Sequence, residues 1–369
     1  MPRTRLLIIQ PSPFCNINCS YCYLPNRSSK AVIEYPTLWN LFSQLFASGW
    51  LKNRLQVVWH AGEPMVLPID FYIDAFRLID RLRPPTVKVV HHLQTNGTLI
   101  DDNWCEFFRR ERVRVGVSID GPKHLHDLYR VTRSGRGTFD KTIAGVRLLR
   151  RHQIPFHVIS VISTANMTSA SEMFEFYLEE GIERVAFNVE DSLNHYVSGV
   201  LTEPDSAAAY YRFLTEFWAL ARSRQQIKAI REIDEMISGI SRPRDFEGRS
   251  QMAEPFDILN VDCSGNVSTF SPELMDVKNE TYGDFILGNI NCDWLIDLPA
   301  KPALARISAE IDAGVAMCRD RCPYFDVCGG GEPANKLSEN GTFASAETRS
   351  CRLTRMTVAD VVLNGIDAL

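Results

Sequence analysis

The chain has 369 residues, of which 45% are hydrophobic and 23% are charged, and its formal net charge at pH 7 is −5. This length accommodates about two domains, and a negative balance argues against a nucleic-acid partner, for which a basic domain is expected. No apolar run is long enough for a membrane span or for the core of a signal peptide, so we expect a cytoplasmic protein. In that compartment the ten cysteines point to metal or redox chemistry before disulfides.

Three cysteines follow the first apolar run of the chain. Residues 6–9 predict a buried strand, which ends at the prolines behind it, so Cys15, Cys19 and Cys22 lie on the loop that leaves the strand. Thiolates favour iron–sulfur clusters with four ligands, so three on one loop can hold a four-iron cluster whose fourth iron stays open to a substrate. The alternatives are a zinc site or three unrelated cysteines. Zinc sites usually contain two cysteine pairs or a histidine, and no histidine precedes His60.

Helical and strand patterns alternate along the first half of the chain. The predicted helices are 37–48, 70–83, 102–111, 138–152 and 169–180, and the strands after the first are 55–59, 87–93, 113–119, 155–162 and 183–189. Six strands separated by helices indicate parallel pairing with the helices packed outside. Six units fall short of the eight that close a full barrel. We therefore predict an α/β fold with a partial, TIM-like (β/α)6 barrel.

The second half of the chain has a different pattern. Residues 204–240 predict helices alone, 241–245 read as a linker, and a segment rich in turns and cysteine follows from about residue 250. We expect a barrel domain over 1–200, a helical bridge over 201–249 and a cysteine-rich domain over 250–369.

Polar residues follow several of the predicted strands, at the barrel edge that carries active sites. Gly62 and Glu63 follow the second strand, where glycine allows close approach and the carboxylate can accept hydrogen bonds from an ammonium group. The third and fourth strands end in Gln-Thr-Asn-Gly at 94–97 and Ser-Ile-Asp-Gly-Pro at 118–122. Ordinary turn chemistry explains the Asn-Gly and Asp-Gly pairs equally well.

Two arginines and an asparagine are further candidates on this side of the predicted barrel. Arg130 can capture a carboxylate through two parallel hydrogen bonds, and Arg133 lies close enough in sequence to do so instead. A surface role for either arginine is equally open. Asn166 follows the fifth strand.

A second cysteine group lies near the end of the chain. Cys318, Cys322 and Cys328 are followed by three glycines, and Cys351 comes later. Four thiolates make a complete site for a second four-iron cluster, with four-cysteine zinc as the alternative. Glycines permit a close backbone approach to such an inorganic core.

The Cys-x3-Cys-x2-Cys spacing, with Tyr21 before the last cysteine, resembles the signature of the radical S-adenosylmethionine (radical SAM) enzymes. The resemblance implies that S-adenosylmethionine binds the open iron of a [4Fe-4S] cluster. One electron from an external flavodoxin- or ferredoxin-type donor then cleaves it to a 5′-deoxyadenosyl radical. Ala61 stands where the family's Gly-Gly-Glu-Pro motif has its first glycine. The resemblance places Tyr21, Gly62, Glu63 and Ser118 near the cofactor, and we expect Arg130 there as well because of its guanidinium.

The cysteine-rich segment resembles the SPASM extension of peptide-modifying radical enzymes, which often holds two auxiliary clusters. Phe270 and Glu332 stand where two cysteine ligands are expected. The resemblance therefore implies one auxiliary [4Fe-4S] cluster, on Cys318, Cys322, Cys328 and Cys351. We expect Cys105, Cys263 and Cys292 to be free thiols.

The C-terminal tail looks most like the maturases that crosslink side chains in ribosomally made precursor peptides. These enzymes close cyclophane rings by joining an aromatic carbon to the β-carbon of a neighbouring residue. Glu332 is a candidate for the base that such a reaction needs. The alternatives are thioether formation, epimerisation, sulfatase maturation, or a non-catalytic zinc or iron–sulfur scaffold that presents a peptide. We expect no separate leader-binding domain before residue 6.

Overall fold

A computed structural model describes residues 2–193, 196–241, 248–275 and 277–366. Its described strands form one ten-stranded sheet, in the order β10-β9-β8-β1-β2-β3-β4-β5-β6-β7. The strands are β1 (Leu6–Ile9), β2 (Arg54–Trp59), β3 (Lys88–Thr95), β4 (Arg114–Ser118), β5 (Phe156–Ile162), β6 (Arg184–Val189), β7 (Ala229–Ile230), β8 (Ile258–Val261), β9 (Asn266–Thr269) and β10 (Gly288–Asn289).

The predicted partial barrel is confirmed. Strands β1 to β6 are neighbours in chain order and all pair in parallel. The helices between them are α1 (Tyr35–Ala47), α2 (Ile69–Leu82), α3 (Asp102–Glu111), α4 (Lys123–Tyr129), α5 (Phe139–Arg151) and α6 (Ala170–Glu179). Each long helix buries an apolar face at helical spacing, as in α2, where Tyr72, Phe76 and Ile79 are at most 4% exposed. The C-terminal strand ends therefore meet at one rim of the sheet.

The sheet extends beyond the six predicted strands at both edges. β7 adds to β6 in parallel, and β8 pairs in parallel with β1, in a register that joins Leu7 to Leu259. β9 and β10 then continue the sheet in antiparallel fashion. The cysteine-rich segment that the sequence treats as separate thus contributes strands to the barrel sheet itself. Helix α4, between β4 and α5, is also absent from the sequence prediction.

Helices dominate the region that follows the barrel, as predicted. They are α7 (Gly199–Thr202), α8 (Ser206–Arg224) and α9 (Arg231–Ile240). Leu214, Trp218 and Ala221 are buried along α8. Of the predicted linker, Ser241 ends α9, and 242–245 lie outside the described residues. The three domain boundaries stay a prediction.

The last part of the chain is helical around its cysteines. Its helices are α10 (Pro302–Arg321), α11 (Phe325–Cys328), α12 (Pro333–Asn340), α13 (Arg349–Cys351) and α14 (Val358–Ile366), with a π-helical turn over Arg352–Thr357. Across the described part of the chain, no helix has both the length and the apolar character that crossing a membrane requires.

Candidate active site

The three N-terminal cysteines lie on a loop that is paired along one side. The Asn18 N–H donates to the Val131 carbonyl at 2.7 Å, and the Ser20 N–H donates to the Tyr129 carbonyl at 3.0 Å. Ile17 forms an antiparallel bridge with Thr132. The segment after α4 therefore fixes the backbone conformation of the cysteine loop.

The thiols of this loop lie close enough to affect one another. Burial raises the pKa of Cys15 to about 11, and the charges of Glu63 and Cys22 raise it further. Burial raises the pKa of Cys19 to about 12, opposed by the Arg130 guanidinium. Crowded thiolates repel each other, so without a metal these thiols favour the protonated form. A bound metal reverses this preference because a coordinating thiol is deprotonated outright. The loop thus fits a cationic metal group.

The arrangement of ligand side chains bears on whether a single metal ion could bind. Among the described residues, no three histidine, cysteine, aspartate or glutamate side chains are arranged to hold one. The assignment of Cys15, Cys19 and Cys22 as cluster ligands stays a prediction.

A buried ion pair contacts the cysteine loop through Tyr21. Arg130 donates to both carboxylate oxygens of Asp120, from Nε at 2.8 Å and from Nη2 at 3.1 Å. The Tyr21 hydroxyl donates to the same carboxylate at 2.6 Å, and the Val161 N–H donates to it at 2.9 Å. The bidentate contact predicted for Arg130 is thus made with a protein carboxylate. Asp120, which the sequence explains as turn chemistry, is the centre of this network.

Arg133 binds the cysteine loop from its exposed side. Its Nε donates to the Cys15 carbonyl at 2.9 Å, and its Nη1 donates to the Ser28 hydroxyl at 3.1 Å. Its guanidinium also lies 5.0 Å from the centre of the Phe14 ring. This arginine therefore links the backbone at Cys15 to the Ser28 side chain.

The loop after β2 packs directly against the cysteine loop. Gly62 has a φ of +74°, and a β-carbon there would lie 2.4 Å from the Ser12 carbonyl oxygen and 2.8 Å from that of Phe14. The Glu63 N–H donates to the Phe14 carbonyl at 2.8 Å. Only glycine fits at position 62, for reasons of both space and backbone conformation. Ala61 has a φ of +65°, so the residue that departs from the family motif also occupies a left-handed conformation.

The Glu63 carboxylate joins the ends of two strands. It accepts hydrogen bonds from the Met65 N–H at 3.0 Å, the Thr95 hydroxyl at 2.8 Å and the Asn96 N–H at 2.7 Å. Burial raises its pKa to about 7, and these hydrogen bonds oppose that rise. Asn96 in turn donates to the Asn16 side chain at 2.8 Å. Glu63 therefore links the strand ends to the cysteine loop, and its contact with a cofactor ammonium group stays a prediction.

Ser118 lies at the same rim, as the last residue of β4. The Gln94 amide donates to the Ser118 hydroxyl at 3.0 Å. A β-carbon at Gly116 would lie 2.0 Å from the Gln94 Oε1 atom, so this strand glycine makes room for the glutamine. Asn166, by contrast, closes its own loop by donating to the Val161 carbonyl at 2.8 Å and accepting from the Ser163 N–H at 2.8 Å.

The C-terminal cysteines come from three helices. Cys318 lies in the last turn of α10, Cys322 caps that helix, and Cys328 and Cys351 end α11 and α13. Burial raises the pKa of Cys328, and the charges of Cys351 and Cys318 add to the rise. Burial likewise raises the pKa of Cys351, with Cys318 again adding to it. The structure thus brings Cys318, Cys328 and Cys351 together, with Cys322 one helical turn from Cys318.

A buried lysine and three glycines surround this second group. Lys336 is 4% exposed, and its Nζ lies 3.3 Å from the Cys318 sulfur. Gly329, Gly330 and Gly331 all have positive φ angles, and a β-carbon at Gly330 would lie 2.8 Å from the Val315 side chain. A buried cation beside a sulfur and a tightly bent backbone fit an iron–sulfur cluster, which carries net negative charge once four thiolates bind its cationic core.

The three cysteines outside the two groups differ in how far they are buried. Cys105 is fully buried in α3, Cys292 is exposed, and Cys263 is partly buried. No disulfide joins any of the ten cysteines, all of which lie within the described ranges. Phe270, at an expected ligand position, is 3% exposed and has a φ of +72°.

Carboxylates from three distant segments lie close enough to affect one another's charge. Glu273 accepts a hydrogen bond from the hydroxyl of Tyr23, the residue after Cys22, at 3.5 Å. Burial raises the pKa of Asp191 well above its usual range, and the negative charges of Glu332 and Glu273 add to that rise. Glu332 forms an ion pair with Arg355 at 2.9 Å. We call these three acids and Tyr23 the acidic cleft.

Only Glu332 of the acidic cleft was singled out from the sequence. Asp191 directly follows β6, at the rim where ligands bind, and that position was the signal available for it. Glu273 lies in a turn after β9, and nothing in its local sequence marks it. Long-range folding alone brings these groups together.

Comparison with known proteins now identifies the family. Residues 9–177 match the model of the radical SAM superfamily. An uncharacterized protein of Synechocystis sp., sll1766, is 36% identical to this chain over 368 residues, which cover 99% of this chain and 92% of the relative. The chain belongs to the radical SAM superfamily. It is therefore an enzyme, with S-adenosylmethionine and a [4Fe-4S] cluster as its cofactors, and the non-catalytic scaffold is set aside.

Other relatives match part of their own length. A serine-type anaerobic sulfatase-maturating enzyme of Bacteroides thetaiotaomicron is 31% identical over 217 residues, which cover 55% of this chain and 52% of that enzyme. A cysteine-type enzyme of Clostridium novyi is 25% identical over 193 residues, which cover 51% of each protein. The chain thus aligns with about half of these enzymes.

Solved structures share the fold along nearly the whole chain. The structure of anSMEcpe with bound AdoMet and the Cp18Cys peptide has a TM-score of 0.80 at 20% identity and covers 99% of this chain and 98% of that one. Streptococcus suis SuiB, bound to its precursor peptide SuiA, has a TM-score of 0.66 at 16% identity and covers 96% and 77%.

Proposed function

We propose that this radical SAM enzyme crosslinks side chains within a ribosomally made precursor peptide, joining an aromatic carbon to the β-carbon of a neighbouring residue. The observation that carries the proposal is the acidic cleft, in which Glu273 contacts Tyr23, the residue after Cys22, and Glu332 lies four residues after Cys328. A crosslink of this kind requires a hydrogen atom, a proton and an electron to leave the peptide. Carboxylates beside two candidate cluster sites suit that combination.

Each cofactor has residues suited to it. Cys15, Cys19 and Cys22 would hold the first cluster, and the Gly62 loop would approach the S-adenosylmethionine that binds it. Bound there, the cluster and S-adenosylmethionine supply a 5′-deoxyadenosyl radical that abstracts hydrogen. Cys318, Cys322, Cys328 and Cys351 would hold an auxiliary [4Fe-4S] cluster, and Lys336 would lie beside its ligand Cys318. An external donor of the flavodoxin or ferredoxin type would supply the electron that starts the reaction.

A surface groove supports a peptide as the substrate. It has a volume of about 710 Å³ and lies between α7 and the C-terminal helices. Ser192, which follows Asp191, and Thr348 and Arg349, which precede Ser350, are among its lining residues. Since the Ser350 side chain hydrogen-bonds Asp191, residues next to the groove in sequence contact the acidic cleft. A peptide lying in the groove would reach the cleft with one of its side chains.

Sulfatase maturation is the second candidate, favoured by the partial match to sulfatase-maturating enzymes. In that reaction a serine or cysteine side chain is oxidised to an aldehyde. Both reactions act on a peptide and both remove a hydrogen atom from a β-carbon. They differ in the product.

Coexpression with short open reading frames that neighbour the gene, followed by tandem mass spectrometry, tests the proposal. We expect a peptide that has lost two hydrogens per ring, resists fragmentation between the joined residues and does not react with a hydrazide. An aldehyde that reacts with hydrazide would support sulfatase maturation instead. A peptide of unchanged mass and inverted stereochemistry would indicate epimerisation, and a new sulfur-to-carbon bond would indicate thioether formation.

A further inference from the structure

The three acids of the cleft have different partners. The Glu332 carboxylate faces the Arg355 guanidinium at 2.9 Å, so its negative charge is neutralised by a fixed cation. Asp191 hydrogen-bonds the Ser350 side chain. Glu273 accepts hydrogen bonds from two hydroxyl groups, that of Tyr23 and that of Ser271. Hydroxyl donors stabilise a carboxylate without pairing its charge.

Neighbouring carboxylates cannot all ionise with equal ease. The pKa of Asp191 is raised well above its usual range, by burial first and then by the Glu332 and Glu273 charges. The pKa of Glu273 is also raised, by burial first, while Ser271 and Tyr23 lower it. Glu273 therefore differs from Glu332 in having hydroxyl partners and no cation beside its carboxylate, and it is more basic than usual.

The position of Glu273 links the two halves of the proposed site. It follows β9, which pairs with β8, and β8 pairs with the strand that leads into the cysteine loop. Tyr23, its hydrogen-bond partner, directly follows Cys22 on that loop. A substrate ring between the two cysteine groups would lie within reach of this side chain.

We propose that Glu273, rather than Glu332, accepts the proton that the aromatic ring loses during crosslinking. This inference rests on the proposed function. The peptide loses a hydrogen atom from a β-carbon to the 5′-deoxyadenosyl radical, a carbon–carbon bond forms to the ring, and the ring then gives up a proton and an electron. Glu273 takes the proton, and an iron–sulfur cluster held by the C-terminal cysteines would be the oxidant that takes the electron. The peptide has then lost two hydrogens.

The test is Glu273→Gln, which keeps size and hydrogen bonding but removes the base. We expect crosslink formation to fall by roughly 10²- to 10⁴-fold. Formation of 5′-deoxyadenosine, iron per chain and the peptide affinity of the reconstituted holoenzyme are expected to stay within about twofold of wild type, a change far smaller than the expected fall in crosslinking. Wild-type crosslinking by this variant would overturn the assignment, and so would equal losses of iron or peptide affinity, which would indicate a structural role.

A matched control comes from outside the cleft. Glu310 on α10 also accepts a hydrogen bond from a tyrosine hydroxyl, that of Tyr282, and Thr342 is its other partner. Glu310→Gln is expected to crosslink at the wild-type rate. If it lost as much activity as Glu273→Gln, removal of any such carboxylate would explain the effect and the assignment would fail.

The pH profile gives a second readout. Tyr23, Asp191 and Glu332 face Glu273, and Arg355 faces Glu332. Wild-type crosslinking is expected to rise with pH as Glu273 loses its proton, and the residual activity of Glu273→Gln is expected to lack that rise. An unchanged acid limb in the variant would assign the titration to another group and overturn the inference.

The wild-type enzyme separates failure of this inference from failure of the proposed function. If wild type cleaves S-adenosylmethionine but no coexpressed peptide loses two hydrogens, the proposed function fails and the role of Glu273 fails with it. If wild type crosslinks and Glu273→Gln does so equally well, the proposed function stands and the role of Glu273 alone is wrong.

Discussion

Arg130 and Asp120 form a two-point ion pair in which the residues are 6% and 1% exposed, directly beneath the cysteine loop. The Tyr21 hydroxyl donates to the same carboxylate, and the Arg130 guanidinium lies 5.4 Å from the centre of the Tyr21 ring. Tyr21 stands between Cys19 and Cys22. The pair therefore fixes the conformation of the cysteine loop from the interior of the protein.

Removing one partner of this pair is expected to be costly. Asp120→Asn leaves a buried guanidinium without its counter-charge, for which we expect a loss of about 3–5 kcal/mol in the free energy of unfolding. Iron incorporation should fall as well. Urea denaturation of the anaerobically purified protein measures the first effect, and iron per chain measures the second. The control is Asp80→Asn, because Asp80 pairs with Arg83 on an exposed helix face, where about 0–1 kcal/mol is expected. Equal losses in the two variants would contradict the structural role.

Two glycines with nearly equal φ angles separate backbone strain from close packing. Gly49 and Gly62 have φ angles of +75° and +74°, but a β-carbon at Gly49 meets nothing within 4 Å. Gly49→Ala should therefore cost about 1–2 kcal/mol, the strain of the left-handed conformation. Gly62→Ala should cost more and should also lower iron content and S-adenosylmethionine binding, because the cysteine loop must move. Equal costs, with iron content unaffected, would indicate that the contact with the cysteine loop is unimportant.

At position 61, where the chain departs from the family motif, we expect a substitution to raise stability. Ala61 has a φ of +65°, so Ala61→Gly should relieve about 1 kcal/mol of backbone strain, less the greater chain entropy of glycine. We expect a stability between unchanged and about 1 kcal/mol higher. The control is Ala305→Gly in the exposed part of α10, which should lose about 1 kcal/mol. Thermal unfolding of both variants measures the difference, and a loss at both positions would show that the conformation at Ala61 is unstrained.

Metal content tests the two cysteine groups independently of activity. Two four-iron clusters correspond to about eight irons per chain, so Cys318→Ala should retain about four. The control is Cys292→Ala, an exposed cysteine whose removal should leave about eight. Iron, sulfide and zinc analysis of anaerobically reconstituted protein gives the counts. Zinc in place of the second four irons would identify the C-terminal group as a zinc site.

Lys336 should tune the auxiliary cluster. Its Nζ lies 3.3 Å from the Cys318 sulfur, and a buried positive charge favours the more negative, reduced state of a cluster. Lys336→Gln should therefore move the reduction potential of that cluster to more negative values. An EPR-monitored redox titration measures the shift, with Lys301→Gln as the exposed control. An unchanged reduction potential would show that the charge of Lys336 does not affect the cluster.

Local pattern predicted the barrel well because each of its units is contiguous in sequence. The apolar run at 55–59 and the helical spacing after residue 70 each specify an element without reference to the rest of the chain. Strand β8 could not be assigned in the same way, because its partner Leu7 comes from the other end of the sequence. Its four buried residues are too short a run to indicate a neighbour.

Residues of the candidate site could be predicted from the sequence when they lie in a short motif, and could not when their role depends on a distant contact. Cys15, Gly62 and Ser118 could be found because each lies in a short motif after a strand. Asp120 lay in one of these motifs but was explained by turn geometry, since burial of its carboxylate is decided by Arg130. Glu273 had no motif at all, because its role depends on a contact with Tyr23 across 250 residues of sequence.

The pairing of β1 with β8 has a consequence for the order in which the protein matures. Thr4 hydrogen-bonds the carbonyl of Phe256, a separation of 252 residues. During synthesis the free edge of the first strand waits for its partner for roughly 12–50 s at 5–20 residues per second. Through that interval the amino-terminal thiols stay beside an unfinished sheet. Iron delivery before strand β8 has been synthesised would meet a nascent chain without its final geometry, so metallation of the cysteine loop is expected to follow synthesis of Val261.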